Sequence, residues 1–145
     1  MANDLEKRLE VYMRAVITEE LDKALYGDIK EQAEKIVKDE IQAEVYSSYN
    51  PETYDRTFSL INSVKASIRK TGSTRTLSIG HDESLLTHTS YDGSLVSEVP
   101  EWIQEGRVHA FGDSTLGYLS AKPYFDNSEE KVKEMIFRIL KKRMR

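Results

Sequence analysis

Apolar residues recur along the first part of the chain at helical spacing. Leu5, Leu9, Tyr12 and Val16, then Leu21 and Leu25, are separated by charged residues, which predicts an amphipathic helix from Asp4 to about Tyr26. Asn3 can cap its start, and Gly27 can end it with a left-handed residue or kink one longer helix. A second pattern from about Asp28 to Ser47 puts Ile29, Ala33, Ile36, Val37, Ile41 and Val45 on one side, opposite mostly Lys, Glu and Asp. Both stripes read as packing within the domain. A coiled-coil partner is the alternative, but the repeat is short and irregular for it.

After residue 63 the period changes. Val64, Ala66 and Ile68 alternate with Lys65, Ser67 and Arg69, Thr71-Gly72-Ser73 interrupts, and Leu77 and Ile79 resume the alternation. This predicts a β-hairpin with one apolar and one wet face. Residues 81–98 are polar with a turn signal at Asp92-Gly93, and read as a loop or weak strand pair. "VPEWIQEG" predicts a helical turn from Pro100 to Gly106. "RVHAFGDSTLGYLSAKPYF" suggests a long hairpin or flexible loop, then an edge strand. In the last helix Asp126, Asn127 or Ser128 is the expected cap, Glu129 and Glu130 favour the first turn, and Val132, Ile136, Ile139 and Leu140 form the apolar face. The fold class expected is α+β, with N-terminal helices and a C-terminal helix packed on a small antiparallel β-sheet. One domain over 1–145 is expected: a helical region 1–48, turns, hairpins and loops over 49–125, and the last helix over 126–145.

Composition narrows the function more than the fold. The chain has 145 residues, 32% of them charged, and a net charge of −4, which disfavours nucleic-acid binding by bulk charge. Arg138, Lys141, Lys142, Arg143 and Arg145 are a basic cluster, but cations at a helix C-terminus are favoured by the helix dipole without any ligand. The cluster lacks interleaved aromatics for stacking bases. There is no cysteine, hence no disulfide or thiolate chemistry. "MANDLEKRLE" does not resemble a signal peptide, and no apolar run approaches a membrane span, so synthesis in the cytoplasm and no membrane partner are expected.

Catalytic signals are equally sparse. His81, His88 and His109 fall in no metal-ligand spacing and read as solvated or hydrogen-bonded side chains. No nucleophile elbow, S-x-x-K motif or phosphate-cradling glycine loop is present. The expectation is no enzyme: no catalytic residue, no metal and no cofactor. The tyrosines Tyr46, Tyr49, Tyr54, Tyr118 and Tyr124 point instead to interaction surfaces or to the rim of a core, because a buried hydroxyl needs a partner.

The stretch "YNPETYDRTFSLINSV" carries the most specific pattern. Tyr49, Pro51, Tyr54, Arg56, Thr57, Leu60 and Ser63 resemble the Y-x-P-x-x-Y-x-R-T-x-x-L-x-x-S signature of small tailed-bacteriophage neck or tail-completion (head-tail connector) proteins. "WIQEG", with Trp102, resembles that family's W-[IL]-x-x-G turn. "AKPYF", with Lys122, Pro123, Tyr124 and Phe125, resembles its [AR]-[RK]-P-[FY]-[FL] element. Lys122 stands where the family usually has arginine, and a lysine there would not pair bidentately with a carboxylate. Physically, Pro51 can start a turn, Thr57 can cap the helix carrying Leu60, and Arg56 can reach a neighbouring acceptor. The stretch thus reads as a fixed corner between helix and sheet.

The resemblance implies a structural virion protein at the neck or head-proximal end of the tail. It would complete the tail or join it to the head as a homo-oligomeric ring around the DNA channel, with a hexamer favoured. Its implied partners are the head-closure protein and the tail-terminator or tail-tube proteins, with DNA passing without sequence-specific binding. The alternatives are a tail terminator proper and a cellular or phage protein-binding adaptor module. Residues 107–120 are the candidate segment for ordering on assembly.

Overall fold

The computed structural model describes residues 2–48, 58–86, 99–111, 115–119 and 121–145. The two predicted N-terminal helices form one rod: α1 (Ala2–Ala24), a π-helical turn (Leu25–Ile29) and α2 (Lys30–Glu44). Gly27 does not end the first helix, because it lies inside the π turn, where Lys30 N–H reaches back to Leu25 O. The wider turn adds one residue. It thereby lines up Leu25 and Ile29 with Ala33, Val37, Ile41 and Val45, all buried and four apart. Asn3 is likewise inside α1, which begins at Ala2.

The predicted hairpin is present as β1 (Val64–Thr71) and β2 (Thr74–His81), paired antiparallel from Val64 opposite His81 to Thr71 opposite Thr74. Its two-residue turn places Gly72 at φ +57, a conformation costly for any residue with a Cβ. Buried Val64 and Ala66 and partly buried Ile68, Leu77 and Ile79 face the helices, as the alternation predicts. Glu34 of α2 accepts the Ala66 N–H at 2.8 Å, satisfying a donor on the outer edge of β1 that would otherwise be open to another strand. At the turn end, Asp22 of α1 takes a bidentate contact from Arg75 (2.6 and 3.3 Å) and a contact from Lys70 at 2.9 Å.

The remaining elements are α3 (Ser59–Asn62), α4 (Val99–Glu105), a second antiparallel hairpin of β3 (Arg107–Phe111) and β4 (Thr115–Leu119), and α5 (Tyr124–Arg143). The described strands thus form two separate two-stranded sheets. The helical turn predicted at Pro100 is α4, ended by Gly106 at φ +78. Among the described residues no further strand lies between β4 and the last helix. Pro123 blocks pairing there, since it has no N–H, and α5 begins one residue later. The predicted caps Asp126, Asn127 and Ser128 are therefore inside it: Asn127 N–H already bonds Pro123 O at 3.0 Å, and Ser128 Oγ donates back to Tyr124 O at 2.5 Å.

Helix α5 runs antiparallel to α2. Asn127 meets Glu44 at 2.5 Å, Lys131 pairs with Glu40, and Arg143 pairs with Asp28 at 2.8 Å. Val132 and Met135 join Ala24, Leu25, Ile29 and Ala33 in one buried cluster. A second cluster gathers Val37, Ile41, Val45, Leu60, Val64 and Tyr124. The α+β class with N- and C-terminal helices is thus the observed one, with helices predominating.

Candidate assembly interface and the corner behind it

The second cluster brings together residues from three separated sequence motifs. Leu60 and Tyr124 are buried at 5% and 0% exposure, and Ile103 and Phe125 pack beside them. "WIQEG" and "AKPYF" are joined directly, because Lys122 N–H donates to Ile103 O at 2.8 Å. Pro123, at φ −78 and ψ 60, centres an inverse γ-turn closed by Tyr124 N–H to Lys122 O at 2.8 Å. This turn aims the Tyr124 ring into the core as α5 begins.

Tyr124 meets a histidine there. Ser63 is fully buried, and its Oγ donates to Leu60 O at 2.9 Å. A hydroxyl has one proton, so the same Oγ accepts from His81 Nδ1, 2.6 Å away. Nε2 is then the acceptor of the pair, and the Tyr124 hydroxyl donates to it at 2.8 Å. Burial holds His81 down at about 4, against a weaker opposing pull from the Leu60 carbonyl. Burial, and to a lesser degree Tyr46, pushes the Tyr124 phenol up. The ring is therefore neutral at physiological pH, and every polar atom of this small network is paired. A fully paired buried network fixes one geometry. Here it locks the base of the hairpin, α3 and the start of α5 together.

Ser63 is fully buried, and its single hydroxyl proton is directed to Leu60 O and not to His81. Among the described residues no cluster of His, Asp and Glu could hold a metal ion, and no helix is long and apolar enough to cross a membrane.

The opening motif is only partly visible. Tyr49, Pro51, Tyr54, Arg56 and Thr57 lie outside the described residues, as does the Trp102 side chain. Of the signature residues that are described, Leu60 and Ser63 serve the core. The N-cap position of α3 is held by Phe58, left-handed at φ 56 and without a side-chain cap hydrogen bond, while the expected Thr57 cap falls on a residue outside the described ones. Phe58 packs edge-on against Tyr46 with ring centres 5.1 Å apart, and Tyr46 OH accepts the Ile61 N–H at 3.3 Å. These contacts hold an otherwise unfavourable backbone.

The surface feature that stands apart is the first part of α1. The stripe Leu9, Tyr12, Val16 was expected to pack within the domain, but residues 7–17 are all exposed. Burial of the rod starts at Leu21 and Ala24, because α5 ends beside Asp28 and Glu20, where Arg143 pairs with both. Residues 2–17 of α1 make an arm about 24 Å long at 1.5 Å per residue. Leu9, Val11, Tyr12, Met13, Val16 and Ile17 are 42–68% exposed on it. Local support comes from Glu10–Arg14 at 2.6 Å and from Thr18 Oγ1 to Arg14 O at 2.7 Å. A solitary helix of this length is marginal in water, and an apolar stripe of this extent is at the upper end of what a monomer exposes. The sequence signal is the Leu9–Tyr12–Val16 spacing, for which packing within the domain is the first reading and a coiled-coil partner the alternative.

The basic cluster of α5 has a partly intramolecular use. Arg143 neutralises Asp28 and Glu20, and Lys141 lies over the exposed Phe137 ring at 5.9 Å.

No curated protein and no solved structure matches the chain. The pattern that defines one family, described as YomN, matches residues 2–145. With that pattern covering the helical rod, the hairpins and α5 alike, the chain belongs to the YomN family, whose name comes from a Bacillus phage-like gene and marks it as phage-related.

Proposed function

We propose that this protein is a non-enzymatic structural component of a phage particle, acting at the neck or head-proximal end of the tail to complete the tail or join it to the head. The observation that carries this reading is the exposed apolar arm of residues 7–17, an unspent contact surface. The phage-linked family supports the setting, and the motif resemblance supports the position. A ring of identical subunits uses one repeated head-to-tail contact that closes on itself, and a hexamer around the DNA channel is the favoured form. At −4 per chain, such a ring would present an acidic surface past which DNA slides without sequence-specific binding. Head-closure and tail-terminator or tail-tube proteins are the neighbours this position requires.

Negative-stain microscopy of a lysate from a phage in which this gene is inactivated tests the reading. Full heads separated from finished-looking tails are the expected result. Normal infectious virions would overturn it and favour a protein-binding adaptor. Tails of uncontrolled length would instead identify a tail terminator.

A further inference from the structure

We infer that the α1 arm is covered by the α1 arms of further copies of this chain, arranged in parallel as a helical bundle of more than two strands. This deepens the ring reading and rests on it, by naming the surface through which the copies meet.

The width of the stripe sets the number of neighbours. At 3.6 residues per turn, Tyr12, Val16, Leu9, Met13 and Ile17 spread over roughly 140° of the helix surface. A two-stranded coiled coil needs only the narrower seam of two positions per heptad, whereas a helix touching two neighbours needs a broader face. Val11 stands on the opposite side.

Area gives the same direction. These five side chains are 42–66% exposed, which leaves on the order of 500 Å² of apolar surface per arm, at the upper end of what a monomer exposes in one patch. Covering the stripe fully, which at this width takes two neighbours, would remove about 500 Å² per arm, or about 1,000 Å² for every two arms that enter the bundle, the scale of a specific interface.

The ring reading sets the direction of packing: parallel arms are what a cyclic ring requires, since every copy points the same way along the axis. Charge does not choose a direction, because Glu10 on one edge of the stripe is held by Arg14 at 2.6 Å. The stripe runs without a break into Leu21 and Ala24 of the core, so the bundle would grow directly out of the body of each subunit.

The test uses the purified full chain. Light scattering after size exclusion should give more than two copies, and the double variant Leu9→Glu, Tyr12→Glu should be monomeric while still unfolding cooperatively, because both residues lie outside the core. Val16→Cys, in a chain that otherwise has no cysteine, should form disulfide-linked pairs within the oligomer on mild oxidation. Antiparallel arms in the register pairing Leu9 with Tyr12 would hold the two Val16 positions about 16 Å apart along the axis and prevent this. A wild-type monomer or dimer, an oligomer that survives the double variant, or an oligomer in which Val16→Cys does not cross-link would each overturn the inference. These outcomes are separate from the phage phenotype: normal virions with an intact bundle would reject the neck role alone, and a neck defect with a monomeric chain would reject the bundle alone.

Discussion

The Tyr124 hydroxyl donates to His81 Nε2 across 2.8 Å, joining the first residue of α5 to the last residue of β2, which are 43 positions apart in the chain. Because Ser63 holds Nδ1 from the other side, the imidazole has no spare donor or acceptor. The corner tolerates only the neutral ring in one tautomer.

Tyr124→Phe keeps the ring and removes the donor, leaving Nε2 without a partner. An unpaired acceptor in a largely closed site costs about 1–3 kcal/mol. Urea denaturation should show a midpoint shift of that size with an unchanged slope. No shift would mean the network does not hold the corner.

Acid should weaken the protein in two stages. Between pH 6.5 and about 4, the unfolded chain binds a proton at His81 that the folded chain does not. Stability therefore falls as pH falls through that window, by up to about 3 kcal/mol, and is not lost further by this group below it. His81→Gln should flatten this window in a pH series of denaturation curves.

Asp22 and Asp82 act in the second stage. Hydrogen bonds from Arg75 and then Lys70 hold the Asp22 carboxyl at about 2, and Lys65 and then Ser84 do the same for Asp82. Depressed carboxyls contribute stability above their unfolded value of 3.8, and that contribution disappears as pH falls through 2. Asp22→Asn should lower the thermal midpoint at pH 7 by releasing the hairpin from α1, with the difference from wild type closing near pH 2.

Two glycines should respond in opposite directions to alanine. Neither would bring a Cβ within 4 Å of a neighbour, so space is not the issue at either site. Gly72 sits at φ +57, and Gly72→Ala should cost about 1–2 kcal/mol. Gly27 lies in the helical rod without a positive φ, and Gly27→Ala should stabilise by about 0.4–1 kcal/mol. Thermal melts of the two variants would separate these effects.

Much of the secondary structure was legible because its signals are local. The alternation from Val64 to Ile79 requires a strand pair whatever surrounds it, and Gly72 supplies the turn between the strands. The same alternation extends to His81, expected as a solvated or hydrogen-bonded side chain in a loop: it continues Leu77 and Ile79 on the inward face as the last residue of β2, and it is hydrogen-bonded there. What it bonds to there depends on Tyr124, which no local pattern connects to it. Helix boundaries shifted for a similar reason. Gly27 is compatible with either a stop or a wider turn, and the burial of Leu25 and Ile29 against α5 selected the turn. Pro123 excluded a strand, and the buried Tyr124 ring drew the cap to Pro123, three to five residues ahead of the expected caps.

The apolar stripe of α1 is readable from residue spacing, because periodicity places residues on a common face through backbone geometry alone. Whether that face is covered depends on where another element ends, which is a matter of tertiary packing. Arg143 closes α5 at the level of Asp28 and Glu20, so the stripe is core from Leu21 onward and open surface before it. Periodicity is a property of one helix, whereas burial is a property of two.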